Sequence, residues 1–230
     1  MIEEILPAEV VAVEALADPP GVTLFPEEEA VIAKAVDKRR REFSTVRHCA
    51  RLALATLGLP RSPLLPGERG APQWPVGVVG SMTHCAGYRA AAVARASDVV
   101  TIGIDAEPHA VLPEGVLEVV ALPEERAWID ELARSAEEVH WDRLLFSAKE
   151  SVYKAWFPLT GRWLGFEDAA ITIDRESATF DARLLVPGPA HDVREWTGFT
   201  GRWLVLDELV VTAVALLPST SEFCVGQTRD

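Results

Sequence analysis

The sequence is short of cysteine, short of positive charge and without long apolar runs. Its three cysteines, Cys49, Cys85 and Cys224, show neither metal-ligand spacing nor a paired framework. That excludes a disulfide-stapled module and a cysteine-based zinc site, and it fits reduced thiols in the cytoplasm. Lys and Arg number 22 against 35 Asp and Glu, for a formal net charge of −13 and a pI near 4.9. A general nucleic-acid or anionic-membrane surface needs the opposite balance. No apolar run approaches the ~18 residues of a membrane-spanning helix. Residues 1–20 are acidic and rich in Ala, not basic and then apolar, so no leader segment is read there.

What is present is a chain of 230 residues, 49% of them hydrophobic, enough for one large or two small domains with a real core. Its most informative stretch is Trp141–Phe166. Leu144, Leu145, Ala148, Val152 and Ala155 recur at helical spacing and predict a buried stripe. Phe146, Glu150 and Lys154, each four apart, line a neighbouring stripe with Lys149 and Tyr153 beside it. Pro158 is expected to end the helix. From these residues alone two readings stand: an exposed Glu150–Lys154 pair worth ~0.3–0.5 kcal/mol, or a charged functional face.

Residues 99–108, VVTIGIDAEP, alternate as a strand. Asp105 and Glu107, two apart, share one side, ~6.5–7 Å from each other. Like charges so placed repel, and a hard cation between them removes the repulsion. Mg²⁺ takes oxygen ligands, typically one or two carboxylates plus substrate phosphates. Asp105, Glu107 and Glu150 form a candidate open site; the alternative is a strand end with two solvated acids.

Gly103–Glu107 (GIDAE), followed by Phe146–Trp156 (FSAKESVYKAW), resembles the two signature motifs of Sfp-type 4′-phosphopantetheinyl transferases, G-I-D-x-E and [FW]-[CS]-x-K-E-[AS]-x-x-K. Gly80–Tyr88 (GSMTHCAGY) is similar to the family's Ser-x-x-His loop, and Arg39–Arg51 to its basic N-terminal helix. The wording is closest to the actinobacterial type II branch. The resemblance implies an α+β fold of two similar α/β subdomains in pseudo-twofold arrangement, with coenzyme A between them. On that pattern residues 1–108 form the first half and 109–218 the second; residues 219–230, polar and without periodicity, are expected to be a mobile tail. It further implies transfer of the 4′-phosphopantetheine arm of coenzyme A to a serine of an acyl or peptidyl carrier protein, releasing adenosine 3′,5′-bisphosphate. The cofactor would be Mg²⁺, or Mn²⁺ in its place, and the protein a cytoplasmic monomer.

Carried over residue by residue, the resemblance makes Asp105, Glu107 and Glu150 the metal ligands. Lys154 becomes the charge stabiliser, and Glu150, or a water on the metal, the base. Arg39 and Arg47 would hold the 3′-phosphate; arginine forks suit phosphate oxygens. The family usually carries a lysine in the next loop; the candidate positions here are Pro66 and Arg69, and Arg69 joins the coenzyme A set. Ser81, Thr83, His84, Asp105, Lys149 and Lys154 complete the phosphate side, and Tyr153 and Trp163 flank the pantetheine arm. Ser81 in G-S-M-T-H lacks the G-x-S-x-G setting of a hydrolase nucleophile. Two other classes share the residues: another Mg²⁺-dependent phosphotransferase or phosphohydrolase, and a non-enzymatic coenzyme A or carrier-protein binding module.

Along the rest of the chain, composition predicts a strand within residues 3–18, a helix from Pro26 through Phe43 and a second helix over residues 45–57. Residues 63–75 form a Pro/Gly loop, a strand follows over 76–81, and 89–95 with 99–107 form a hairpin. A helix starts at Pro123, and strands cover 169–173, 178–186 and 202–217, the last turning near Asp207.

Overall fold

Two helices of twenty residues each organise the molecule. The computed structural model describes residues 1–135, 139–191, 194–218 and 224–226. A 3-10 turn and strand β1 (Val11–Ala15) lead to the short helix α1 (Pro26–Val31) and the long helix α2 (Asp37–Thr56). Strands β2 (Val78–Cys85), β3 (Tyr88–Arg95) and β4 (Thr101–Pro108) come next. Helices α3 (Val116–Val120), α4 (Pro123–Ser135) and α5 (Trp141–Thr160) precede β5 (Ala169–Asp174) and β6 (Thr179–Leu184). The chain continues through β7 (Ala190–His191), β8 (Arg194–Trp196), β9 (Gly198–Leu206), β10 (Leu209–Leu216) and β11 (Cys224–Gly226). The fold is α+β. No helix among the described residues is long and apolar enough to cross a membrane.

Helix α2 packs on a sheet of order β1–β3–β2, and α5 on a sheet of order β4–β10–β9–β6–β5. Strands β11, β8 and β7 form a third, small sheet in that order. Strand β3 is buried on both faces. Ala91 and Val93 meet Cys49, Ala50 and Ala53 of α2. Tyr88, Ala90 and Ala92 meet the second core, which holds Ile102, Ile104 and Val211. The stripe expected on α5 is realised: Leu144, Leu145, Ala148, Val152 and Ala155 are each 0% exposed, against Ile171, Phe180 and Val210.

Strand β4 divides its two faces cleanly. Ile102, Ile104 and Ala106 enter the core between the sheets, while Thr101, Gly103, Asp105 and Glu107 face α5. Thr101 Oγ1 donates to the Ala155 carbonyl at 2.8 Å, and a Cβ on Gly103 would sit 1.9 Å from the Ser151 carbonyl oxygen. Thr212, opposite Asp105 on β10, donates to the Ser147 carbonyl at 2.9 Å. The helix thus lies directly on the strand because glycine leaves it the room.

The outer edge of β4 meets β2 through side chains. Ile104 N–H donates to Ser81 Oγ and Ala106 N–H to Thr83 Oγ1, both at 3.1 Å. Two hydroxyls thereby satisfy N–H groups that an edge strand would leave open.

Several expectations are corrected. The helix from Pro26 stops at Val31, and the basic run opens one continuous α2, with no break near Ser44. The expected hairpin of residues 89–95 with 99–107 does not form. β3 pairs with β2 and β4 with β10, because after Arg95 the chain crosses to the other sheet. The Ser-x-x-His segment is the second half of β2, not a loop. β4 lies at the edge of the five-stranded sheet, next to β10. Helix α5 runs past Pro158 to Thr160: Pro158 falls in the last turn, and Gly161, left-handed at φ 62°, ends the helix. Of the tail, 219–223 and 227–230 lie outside the described residues, while 224–226 form β11.

Gly103→Ala is expected to force α5 off β4. Overpacking of this kind costs about 2–3 kcal/mol, or a Tm lower by roughly 4–12 °C for a chain of this length, readable by thermal unfolding.

Candidate active site

A groove of about 770 Å³ runs between the two sheet-and-helix units. Helix α2 contributes Arg39, Phe43 and Arg47; the following loop contributes Pro66, Glu68 and Arg69. Strand β2 adds Ser81 and His84, and α5 adds Glu150, Tyr153 and Lys154. One wall is therefore basic, and the far wall carries a carboxylate beside an ammonium.

On the basic wall Arg39 Nη1 lies 2.7 Å from His84 Nε2. Burial holds the His84 imidazole below its ordinary value, and Arg39 and Lys154 act the same way against Glu42. A neutral ring at pH 7 accepts from Arg39 at Nε2. Arg47 donates from Nε to the Leu64 carbonyl at 2.8 Å, and its guanidinium lies 3.2 Å from the Phe43 ring centroid. Burial pushes its pKa down to about 10, which leaves it charged. Lys38, Arg40 and Arg41 each lie beside an acid, respectively Glu42, Glu29 and Asp18. Arg51 is buried against Glu28 at 2.8 Å. Of this run Arg39 and Arg47 line the groove.

On the other wall Lys154 Nζ donates to Asp105 Oδ1 at 2.7 Å and to the Ile104 carbonyl at 3.1 Å. The Glu150–Lys154 ion pair of the simplest sequence reading is not made. Thr83 Oγ1 also donates to Asp105 Oδ1, at 3.2 Å, while Asp105 Oδ2 is buried without a partner. Glu107 is held by Arg143 at 2.9 Å. Burial, then the charge of Asp105, raises the Glu107 pKa; burial raises that of Glu150, with Lys154 opposing and Asp105 adding.

These acids match a hard cation in donor type, and the buried Asp105 Oδ2, which has no partner, leaves one oxygen open to a ligand. Among the described residues, however, no three His, Cys, Asp or Glu side chains converge into a ready metal cage. A site completed by substrate phosphates suits that arrangement better than an all-protein one.

Tyr153 and Trp163 meet at 4.9 Å between ring centroids and line a recess of about 120 Å³ beside Glu150. The Arg69 guanidinium stands 5.3 Å over the Trp163 ring, and the Tyr153 hydroxyl is buried without a partner.

Three expected ligand residues are placed otherwise. Thr83 serves β4 and Asp105, and Ser81, though it borders the groove, has its hydroxyl on Ile104 N–H. Lys149 is buried, its Nζ 2.7 Å from Glu125 Oε2 and 2.7 Å from the Phe166 carbonyl oxygen. It borders the small recess, not the groove.

The sequence reading missed Glu28 and Glu125, both 0% exposed. Each stands third in a helix opened by Pro-Glu-Glu and reaches back to the residue before it, Phe25 or Leu122. Each also binds a cation of a long helix and a distant backbone N–H, Leu64 or Ile171. The available signal was the recurrence of Pro-Glu-Glu at Pro26 and Pro123.

Lys149→Met is expected to cost ~3–5 kcal/mol in urea unfolding, because it strands a buried carboxylate. Adding Glu125→Gln should recover much of that loss. A Lys149 that served a ligand in the groove would leave stability unchanged.

Comparison with known proteins agrees with this geometry. Residues 27–94 match the model of the 4′-phosphopantetheinyl transferase N-terminal domain, and residues 101–206 that of the 4′-phosphopantetheinyl transferase superfamily. The chain is 58% identical to 4′-phosphopantetheinyl transferase Svp of Streptomyces mobaraensis over 219 residues, 94% of this chain and 89% of that one. It is 58% identical to Npt of Nocardia iowensis over 84% of this chain and 88% of the relative. It is 54% identical to PptT of Mycobacterium tuberculosis over 82% and 86%. Both of the latter are also named 4′-phosphopantetheinyl transferases. With a groove that joins a basic wall to a carboxylate–lysine wall, and with relatives matched along nearly their whole length, this chain belongs to the 4′-phosphopantetheinyl transferase superfamily.

Proposed function

We propose that this enzyme transfers the 4′-phosphopantetheine arm of coenzyme A to a serine of an acyl or peptidyl carrier protein, releasing adenosine 3′,5′-bisphosphate. The observation that carries the reading is the polarity of the groove. Arg39, Arg47 and His84 line one wall, and Glu150 and Lys154 stand across from them. Coenzyme A has matching charge: its 3′-phosphate suits the arginines, its pyrophosphate can span from His84 to Lys154, and its uncharged arm leads on from there.

Arg39 and Arg47 offer forks to the 3′-phosphate, with Arg69 at the loop and His84 at the pyrophosphate. The arm runs toward Tyr153 and Trp163, where the unpaired Tyr153 hydroxyl can meet its amides. The carrier serine oxygen attacks the phosphorus that bears pantetheine, and the bond to the bridging oxygen of the pyrophosphate breaks. The serine proton passes to Glu150, the carboxylate that lines the groove beside Lys154 and whose proton affinity burial raises. Lys154, already charged against Asp105, stabilises negative charge on the departing phosphate. Mg²⁺ held by Asp105, Glu107 and Glu150 together with substrate phosphates would supply charge neutralisation there. Both walls come from one chain, which supports a monomeric unit. The charge of −13 supports a cytoplasmic enzyme that binds neither nucleic acid nor membrane.

The direct experiment is the intact mass of an apo carrier protein after incubation with the enzyme, coenzyme A and Mg²⁺. A gain of one phosphopantetheine is expected. Release of phosphate with no gain in carrier mass would point to a hydrolase, and no change at all to a binding module. Glu150→Gln keeps the volume and loses the base. Its kcat should fall at least ~10²-fold, with a much smaller change in the KM for coenzyme A. An unchanged kcat would remove Glu150 from the chemistry.

A further inference from the structure

Glu28 is fully buried, yet its carboxylate serves donors from three separate segments. Oε2 accepts from Phe25 N–H at 2.9 Å, and Oε1 accepts from Leu64 N–H at 2.9 Å. Arg51 Nη1 donates to both oxygens, at 2.8 and 3.0 Å. Arg47 Nε is 3.8 Å from Oε1. On the far side of Leu64, the carbonyl accepts from Arg47 Nε at 2.8 Å. Leu64 itself is 0% exposed. One residue is thus pinned by its N–H to Glu28 and by its carbonyl to Arg47.

We propose that Glu28 is a positioning residue for coenzyme A, fixing the Arg47 guanidinium on the groove wall through the backbone of Leu64. This rests on the reading above, in which Arg47 binds the 3′-phosphate. With Nε tied to the carbonyl and the plane laid on Phe43, the outer edge of the fork is what Arg47 offers to a ligand. That edge is useful only in one orientation, because bidentate recognition of phosphate is geometric as well as electrostatic. The loop that carries Leu64 also carries Pro66 and Arg69 to the groove, so the same pin sets the entry of that loop.

Glu125 supplies an internal control. It holds Leu122 N–H, Ile171 N–H and Lys149 in the same manner, each at 2.7 Å. No hydrogen bond of the Ile171 carbonyl reaches a groove residue among the described ones: Ile171 pairs with Ala182 in the sheet. The two acids share a structural task, and Glu28 alone is linked onward to the ligand wall.

The test is steady-state transfer to an apo carrier protein with coenzyme A as the varied substrate. Glu28→Gln is expected to raise the KM for coenzyme A roughly tenfold, the scale of one misdirected charge-assisted hydrogen bond, with kcat within about twofold. In an Arg47→Ala background it should raise KM no further. Glu125→Gln should lower Tm without raising KM. If Glu28→Gln does not fold, Glu28→Asp keeps the countercharge for Arg51 but cannot span Phe25 and Leu64 together, and the same rise is expected. A KM that is unchanged, or lowered because Glu28 merely offsets the charge of Arg47, overturns the proposal. So does a rise in KM that adds to that of Arg47→Ala, or a kcat lost in the same proportion. A raised KM in Arg47→Ala without one in the Glu28 variants removes the role of Glu28 alone. An unchanged KM in Arg47→Ala removes the reading of the groove on which it rests.

Discussion

The contact of α5 with β4 at Gly103 is the constraint on which the site depends. Helix and strand touch backbone to backbone, with no side chain between them at that point. Thr101 and Thr212 accept the consequence by hydrogen-bonding the helical carbonyls of Ala155 and Ser147. At that distance Lys154 reaches both Asp105 and the Ile104 carbonyl, and Glu150, one turn earlier, feels the charge of Asp105. A bulkier residue at position 103 would separate the carboxylates from the lysine. The glycine of the GIDAE motif is therefore a packing requirement of the chemistry next to it.

The same economy appears at the seam between the two sheets. β2 and β4 exchange no ladder; Ser81 and Thr83 stand in for a strand partner. Thr83 then spends its own proton on Asp105, so the seam also orients the acid. Two buried glutamates, Glu28 and Glu125, each gather a long helix, a helix start and a distant backbone N–H. Glu125 gathers α4, α5 and β5; Glu28 gathers α1, α2 and Leu64, whose carbonyl holds Arg47 at the groove.

Much of this was legible in the sequence. The buried stripe of α5, the alternation of β4 and the carboxylates sharing one of its faces follow from periodicity and hold in three dimensions. Other features were hidden for physical reasons. The Pro-Glu-Glu starts of α1 and α4 look like acids placed for the helix dipole, and a charge count does not reveal that Glu28 and Glu125 are buried. Lys149 looks like a ligand cation for the same reason, since its partner Glu125 lies far away in sequence. The partner of β4 was misread because alternation fixes a strand's faces and says nothing of its neighbours. Pro158 misled because a proline near the C-terminus of a helix removes one bond without ending the last turn.

The most direct measurement is the rate of phosphopantetheine transfer by Asp105→Ala at saturating coenzyme A and Mg²⁺, alongside its Tm. Asp105 is buried with one oxygen unpaired, and the Lys154 that its loss would free is partly exposed to solvent, unlike the buried Lys149–Glu125 pair. If the acids gathered by α5 and β4 are the reactive centre, the rate falls by at least ~10²-fold while the Tm stays within a few degrees. Near-normal transfer by a folded Asp105→Ala enzyme would contradict the account.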